Sequence, residues 1–256
     1  MTFLHALILG IVEGITEFLP ISSTGHLILA GSLLKIPPTE FLKTFEIAIQ
    51  LGAILAVVAL YWRRLLTNWE VFKRVSVAFI PSIILGLLFY KLIKTYLLGN
   101  SLVVVGSLVI GGIFLILFEK FHKPSAHAIN DITQISYKNA FIIGLFQCIA
   151  FVPGVSRAAA TIIGGLLMGV SRSAIVEMSF LLAVPTMAAA TGLDLLKTQL
   201  TFSGNELLLL AVGCITSFVV ALFGIRFLLH YIQKHTFTAF GVYRIVVAVA
   251  FLLLTL

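Results

Sequence analysis

The chain has 256 residues, 60% of them hydrophobic and only 11% charged, with a formal net charge of +7. That balance excludes the soluble globular classes and fits a multi-span helical membrane protein. Alternating polar and apolar strands, as in an outer-membrane barrel, are absent. No basic run is long enough to form a nucleic-acid surface, so no nucleic-acid partner is expected.

Residues 2–19 and 22–35 are apolar pieces separated at Pro20. Neither reaches the ~20 residues of a full span, so the pair predicts a re-entrant helical hairpin. Residues 40–62 predict a first full span. It ends in Tyr61-Trp62-Arg63-Arg64, an aromatic belt followed by a basic anchor. Residues 75–95, with Pro81 near their start, and residues 101–118 predict two more, with a loop over 63–74. The stretch 119–138 is the only long polar one and reads as a loop. Two short apolar pieces follow, 137–152 and 155–169, broken at Pro153-Gly154, and predict a second hairpin. Residues 172–196 (with Pro185 inside), 205–231 and 238–256 complete the series. The expected fold is therefore a single all-α polytopic membrane domain of six transmembrane helices and two re-entrant hairpins. Cys148 and Cys214 lie in apolar helical runs and make no disulfide framework. The first basic residue is Lys35, so the N-terminus reads as lacking the positive region of a secretory signal.

The second half repeats the first. GIVEGITEFLPISSTGH at 10–26 aligns with GLFQCIAFVPGVSRAAAT at 144–161. This sets Glu13 opposite Gln147, Pro20 opposite Pro153 and Ser23 opposite Ser156. Glu46 lies opposite Glu177, about 130 residues on. A hairpin plus three spans is an odd number of crossings. The halves, about 1–119 and 137–256, are therefore expected to be inverted, with a binding site at their interface. Ten of the seventeen lysines and arginines fall on the side of the 63–74 and 119–138 loops, five on the other, and Arg157 and Arg244 lie inside the membrane. The ten-residue side should be cytoplasmic, with the mouth of the first hairpin outside.

The stretch from Gly10 to Leu29 carries most of the polar chemistry: two carboxylates, four hydroxyls and a histidine. Glu13 and Glu17, four apart, share one helical face. Pro20 stops the helix, and Ser22, Ser23 and Thr24 are residues that cap a new one. Gly25 allows close approach to the backbone, and His26 comes one turn into the new helix. Ionised groups at this depth cost roughly 3 kcal/mol each, so they are functional by default. The structural alternative is a helix cap with two acids paired inside the bundle. In the second break, Arg157 is a permanent cation suited to phosphate oxygens. Each break also offers a helix N-terminus as an anion site. For Arg157 the structural alternative is ion pairing with Glu17 or Glu13.

Glu13-x3-Glu17, the Pro-x-Ser-Ser-Thr-Gly-His run at 20–26 and the Pro-Gly-x-Ser-Arg run at 153–157 together resemble the undecaprenyl-diphosphate phosphatase family of the bacitracin-resistance type. Phe45-Glu46 and Gln50-Leu51-Gly52 extend the similarity, which covers essentially the whole chain. One departure is visible. The family continues Ser-Arg-Ser-Gly-x-Thr, whereas here Ala158-Ala159-Ala160-Thr161 follows Arg157, so no hydroxyl stands at 158. The resemblance implies hydrolysis of a C55 isoprenyl diphosphate to the monophosphate. It also implies a divalent cation, Mg²⁺ or Ca²⁺, a bacterial inner-membrane location and a site opening to the periplasmic side.

On that reading Ser23 attacks phosphorus with Glu17 or His26 as base, or a metal-bound water attacks and Ser23 orients phosphate. Ser22, Ser23, Thr24, Gly25, Ser156, Arg157 and Thr161 would hold phosphate. Glu13 and Glu17 would hold the metal, and Glu46, Gln50 and Gln147 would stand behind them. The expected partners are the polyprenyl diphosphate lipid and the membrane itself. Oligomeric state stays open, a homodimer included. The alternative function is transport of an isoprenyl phosphate or another organic anion, since broken helices in inverted halves are also a transporter plan.

Overall fold

The computed structural model describes residues 1–92, 101–123, 127–197 and 202–255. Among the described residues ten α-helices follow in order: α1 (Phe3–Thr16), α2 (Ser23–Leu33), α3 (Glu40–Thr67), α4 (Trp69–Leu92), α5 (Ser101–Phe121), α6 (Tyr137–Cys148), α7 (Arg157–Leu167), α8 (Arg172–Lys197), α9 (Gly204–Tyr231) and α10 (Thr238–Thr255). Among the described residues there is no strand, only one isolated bridge between Ile129 and Val170. Five helices, α3, α4, α5, α8 and α9, are long and apolar enough to cross a membrane. The sixth expected span corresponds to α10, whose 18 residues extend about 27 Å at the rise of an α-helix. That is slightly short of a bilayer core of about 30 Å.

The predicted loop over 63–74 is instead helix almost throughout. Helix α3 runs to Thr67 and α4 begins at Trp69. Asn68 makes the junction, its side-chain oxygen accepting the Val71 N–H at 3.2 Å. Arg63, Arg64, Lys73 and Arg74 therefore ride on helix ends beyond the apolar belt. The end of the predicted 75–95 span falls partly outside the described residues. In the 119–138 stretch, α5 continues to Phe121, and Asp131 caps a short 3₁₀ turn, Ile132–Gln134.

Helix α1 packs most extensively on α9, and α6 on α4; α3 lies against α8 and α9, and α5 against α10. These contacts are close because glycine sits at the crossings. A Cβ on Gly10 or Gly14 would lie 2.8 or 2.7 Å from a carbonyl of α9, and one on Gly144 of α6 only 2.0 Å from Ala78 O of α4. The main apolar core gathers Phe18, Ala53, Val57, Ile162, Phe180 and Leu181 around the two hairpins. Large apolar side chains such as Leu88, Ile110 and Phe223 face outward from α4, α5 and α9, as lipid-facing surfaces do.

One end of the bundle is tied by ion pairs. Arg64 pairs with Glu177 at 2.9 Å and Asp131 at 3.2 Å. Arg172 takes Glu119 with both guanidinium nitrogens, and Arg74 donates to Ile135 O at 2.7 Å. Arg64, Arg74 and Arg172, three of the basic residues that sequence analysis groups on one side, thus lie at one end, and Glu177 is an ion-pair partner there.

Candidate active site

The two breaks have the same local construction. Helix α1 ends at Thr16, and Glu17 keeps helical backbone angles, its N–H bonding Glu13 O at 2.9 Å. A turn then leads to Ser22, whose side chain caps α2 by accepting the Gly25 N–H. In the second break a 3₁₀ turn, Ile149–Phe151, leads through Pro153-Gly154 to Ser156. That residue caps α7 by accepting the Ala159 N–H at 3.2 Å. Ser22 and Ser156 have φ of 73° and 75°, a region non-glycine residues rarely enter and one associated with functional strain. The helix starts therefore align Ser22 with Ser156 and Ser23 with Arg157, one residue off the alignment on prolines. Ser22 follows Glu13, and Ser156 follows Gln147, at the same spacing, but Pro20 and Pro153 stand at different distances before their caps, so the prolines mark the breaks but not their register.

Both breaks open onto one cavity of about 170 Å³. Glu17, Ser22, Ser23 and Thr24 line it from the first break, Gly154, Ser156 and Arg157 from the second. Gln50 of α3 and Gln147 of α6 complete its polar wall, and Phe151, Met187 and Ala190 are among its apolar residues. The Ser23 hydroxyl donates to Glu17 Oε2. Glu17 Oε1 accepts from Arg157 Nη2 at 2.7 Å. Arg157 is steadied by Nη1 donating to Ser179 O at 2.7 Å and to its hydroxyl at 3.2 Å, and its guanidinium lies over the Phe18 ring. One carboxylate thus joins a hydroxyl to a cation.

Glu13 is fully buried, and among the described residues neither of its carboxyl oxygens has a hydrogen-bond partner. A buried carboxylate left so is costly unless a proton or a cation satisfies it. Among the described residues no group of three His, Cys, Asp or Glu side chains is placed to hold a metal. Two carboxylates still suit a small hard cation that completes its shell with water and phosphate oxygens. Gln147, opposite Glu13 in the repeat, donates to Ser82 Oγ at 2.7 Å and Thr186 Oγ1 at 3.0 Å, and its own carbonyl is buried and unpaired. Glu46 does not line the cavity and lies near Gly31 of α2.

Three expected site residues are placed otherwise. Both ring nitrogens of His26 are occupied, Nδ1 by Ser22 O at 2.7 Å and Nε2 by the Tyr243 hydroxyl at 3.1 Å, and the ring stacks on Tyr243. His26 therefore links the first cap to α10, and neither ring nitrogen is bonded to Ser23. The Thr161 hydroxyl donates to Arg157 O one turn back, in a fully buried position that does not line the cavity. Gly25 is packing space: a Cβ there would stand 3.2 Å from Val104 and 3.6 Å from Gly154 Cα. Sequence reasoning misses Ser179, Ser82 and Thr186, isolated hydroxyls in apolar helices. The only local sign is that Ser82 and Thr186 each follow a helix-interior proline. It also misses what Arg244 does, noting only that a cation lies within a span.

Fold and site define a multi-pass helical membrane protein whose two helix breaks meet around a cavity lined by hydroxyls, a carboxylate and a guanidinium. Residues 6–250 match the family described as Bacitracin resistance protein BacA, and the chain belongs to that family. It is 51% identical to the undecaprenyl-diphosphatase of Aquifex aeolicus over 251 residues, 98% of each chain. It is 51% identical to that of Sulfurihydrogenibium sp. over 253 residues, 99% of each chain. Against that of Persephonella marina the figure is 49% over 256 residues, all of both chains.

Proposed function

We propose that this chain hydrolyses undecaprenyl diphosphate to undecaprenyl phosphate and inorganic phosphate at the cavity between the two breaks, recycling the lipid carrier of cell-wall synthesis in a bacterial inner membrane. The observation that carries the reading is the Ser23–Glu17–Arg157 chain of contacts. A carrier of organic anions needs the cation but not a hydroxyl held on a carboxylate, so this contact favours the phosphatase over transport. The apolar wall from Phe151, Met187 and Ala190 suits the first units of an isoprenyl tail.

In this mechanism Ser23 Oγ attacks the terminal phosphorus while its proton passes to Glu17. The bond from phosphorus to the bridging oxygen breaks, and undecaprenyl phosphate leaves as the anion. Water then attacks the phosphorus on Ser23, the proton on Glu17 returns to Oγ, and phosphate departs. Arg157 exchanges its contact with Glu17 for phosphate oxygens, and the free N–H groups at the starts of α2 and α7 supply further donors. Glu13 beside Glu17 would hold the divalent cation, Mg²⁺ or Ca²⁺, which when bound neutralises charge on phosphate oxygens. All these groups come from one chain, so the reading needs no second copy.

The halves, about 1–119 and 137–256, are read as inverted repeats; the equal spacing of Glu13–Ser22 and Gln147–Ser156 and the exchanged packing of α1 on α9 and α6 on α4 support this. The mouth is read as opening to the outer face.

The deciding measurement is phosphate release from undecaprenyl diphosphate in detergent, with and without a chelator, for the unmodified protein and Ser23→Ala. Release that falls with the chelator and is nearly lost in Ser23→Ala is the expected result. Absence of release from the unmodified protein at every metal concentration would sink the proposal.

A further inference from the structure

Arg244, in the middle of α10, is 1% exposed and the largest fully buried side chain. Among the described residues no carboxylate pairs with it. Its partners are carbonyl oxygens: Gly154 at 2.7 Å and Ser107 at 3.0 Å from Nη2, Val155 at 3.1 Å and Pro20, longer, at 3.4 Å from Nη1. Pro20 belongs to the first break, Gly154 and Val155 to the second, and Ser107 to α5. One guanidinium therefore spans both breaks and ties them to α5. A planar, five-donor fork can do this; an ammonium on a shorter reach cannot satisfy four divergent acceptors.

The bond to Val155 O has a consequence for the cavity. In a trans peptide the C=O and N–H point to opposite sides. Arg244 holds the Val155 carbonyl on its own side, so the Ser156 N–H is turned away from the guanidinium. Among the described residues that N–H has no acceptor, and Ser156 lines the cavity. Ser156 is also one of the two caps with positive φ. The neighbouring residue of α10, Tyr243, steadies the other cap through His26.

We infer that Arg244 is a positioning residue for the reaction: it clamps the two breaks by their carbonyls, so that the two strained caps and the free Ser156 amide face the diphosphate in fixed register, while Arg157 makes the direct contact. The inference rests on the phosphatase reading of the cavity. Its charge, unpaired by any described acid, also favours an anion at the breaks.

The structure supplies a variant that moves the guanidinium without removing it. A Cβ on Gly111 of α5 would lie 2.2 Å from Arg244 Nη2 and 2.7 Å from Cζ. The clash falls on the end of a flexible side chain, so Gly111→Ala is expected to fold with Arg244 displaced. Arg244→Lys keeps the charge but loses the bridge. Gly106→Ala, on the same helix with nothing within 4 Å, is the control. The three variants and the unmodified protein are compared for melting temperature, kcat and KM with undecaprenyl diphosphate, and hydrogen exchange over 17–27 and 150–160.

The expected result is a fall in kcat of about 100-fold, the scale of losing one preorganised donor, in Gly111→Ala and Arg244→Lys. KM should change by less than about 3-fold because the charge remains, exchange should be faster at both breaks, and Gly106→Ala should be unaltered. Folded Gly111→Ala and Arg244→Lys with unchanged exchange at the breaks overturn the inference, as does normal kcat in both. Failure of the phosphatase reading is a different result, no hydrolysis by the unmodified protein, and the exchange comparison then still decides whether Arg244 clamps the breaks.

Discussion

Glu17 is the residue on which the site turns, because its two oxygens hold different partners, the Ser23 hydroxyl and the Arg157 guanidinium. Glu17→Gln keeps the shape but cannot take a proton. It is expected to lower turnover by at least ~100-fold, within the range of general-base losses, while lipid-diphosphate binding persists. Phosphate release and equilibrium binding on the same preparation check this, and normal turnover would remove Glu17 from the chemistry. Arg157→Lys keeps charge and loses the fork that reaches Glu17 and Ser179 together. A rate loss on the order of 100-fold, about 3 kcal/mol, with an unchanged melting temperature is expected; near-normal rates would make Arg157 an ion-pair partner only. Away from the membrane-spanning helices, Asp131 accepts from the Thr133 hydroxyl and amide, each at 2.7 Å, and pairs with Arg64. The Thr133 hydrogen bonds first, then Arg64, hold its carboxyl below the usual range. A depressed folded value means the contribution to stability is present above the unfolded value, about 3.9, and is lost as pH falls through the folded one. Melting temperature in detergent should therefore drop below about pH 4, and less steeply in Asp131→Asn; equal slopes would show that Asp131 takes no part.

At the scale of elements, the hydropathy pattern and the Pro20 and Pro153-Gly154 breaks were enough to place the hairpins and most spans, because lipid permits few other arrangements of backbone. The misses have particular causes. Arg63, Arg64, Lys73 and Arg74 suggest a loop by their charge, yet they continue α3 and α4 as helix past the apolar belt. Alignment on prolines sets Ser23 against Ser156, whereas the chain is registered by its cap serines. The contacts of His26 and Thr161 were not legible either: a turn of helix directs their polar atoms to backbone and Tyr243. Arg244 has no motif at all, since its four acceptors are carbonyls scattered along the chain. Helix packing gives a test of its own. Gly144→Ala drives a methyl against Ala78 O and is expected to cost about 1–3 kcal/mol, in the range for overpacking. Gly192→Ala, with nothing described within 4 Å, should be neutral or stabilising by about 0.5–1 kcal/mol. Equal melting temperatures for the two variants would mean that α6 does not seat on α4 as closely as described.

For the whole molecule, the Arg64–Glu177, Arg64–Asp131 and Arg172–Glu119 pairs set Arg64 and Arg172 at one end. That end is expected to be cytoplasmic. A single cysteine at Lys123, in a variant lacking Cys148 and Cys214, should resist a membrane-impermeant thiol reagent in intact cells and react after permeabilisation. Rapid labelling of intact cells would reverse the orientation.

The crossed packing of α1 on α9 has a consequence for biogenesis. A ribosome delivers α1 long before its main packing surface, α9, which lies some two hundred residues downstream. Until then Glu13 and Glu17 have no α9 to cover their helix, and the Arg157–Glu17 contact that joins the two breaks is of high sequence separation, the slow kind to form. The nascent chain must therefore keep its most polar segment waiting at the membrane, and a product released before α9 would hold all the motifs of the first half with no assembled cavity. Early termination should yield a species cleared by membrane proteases, and co-expression of the missing α9–α10 piece should rescue it only if the waiting hairpin remains open to late docking.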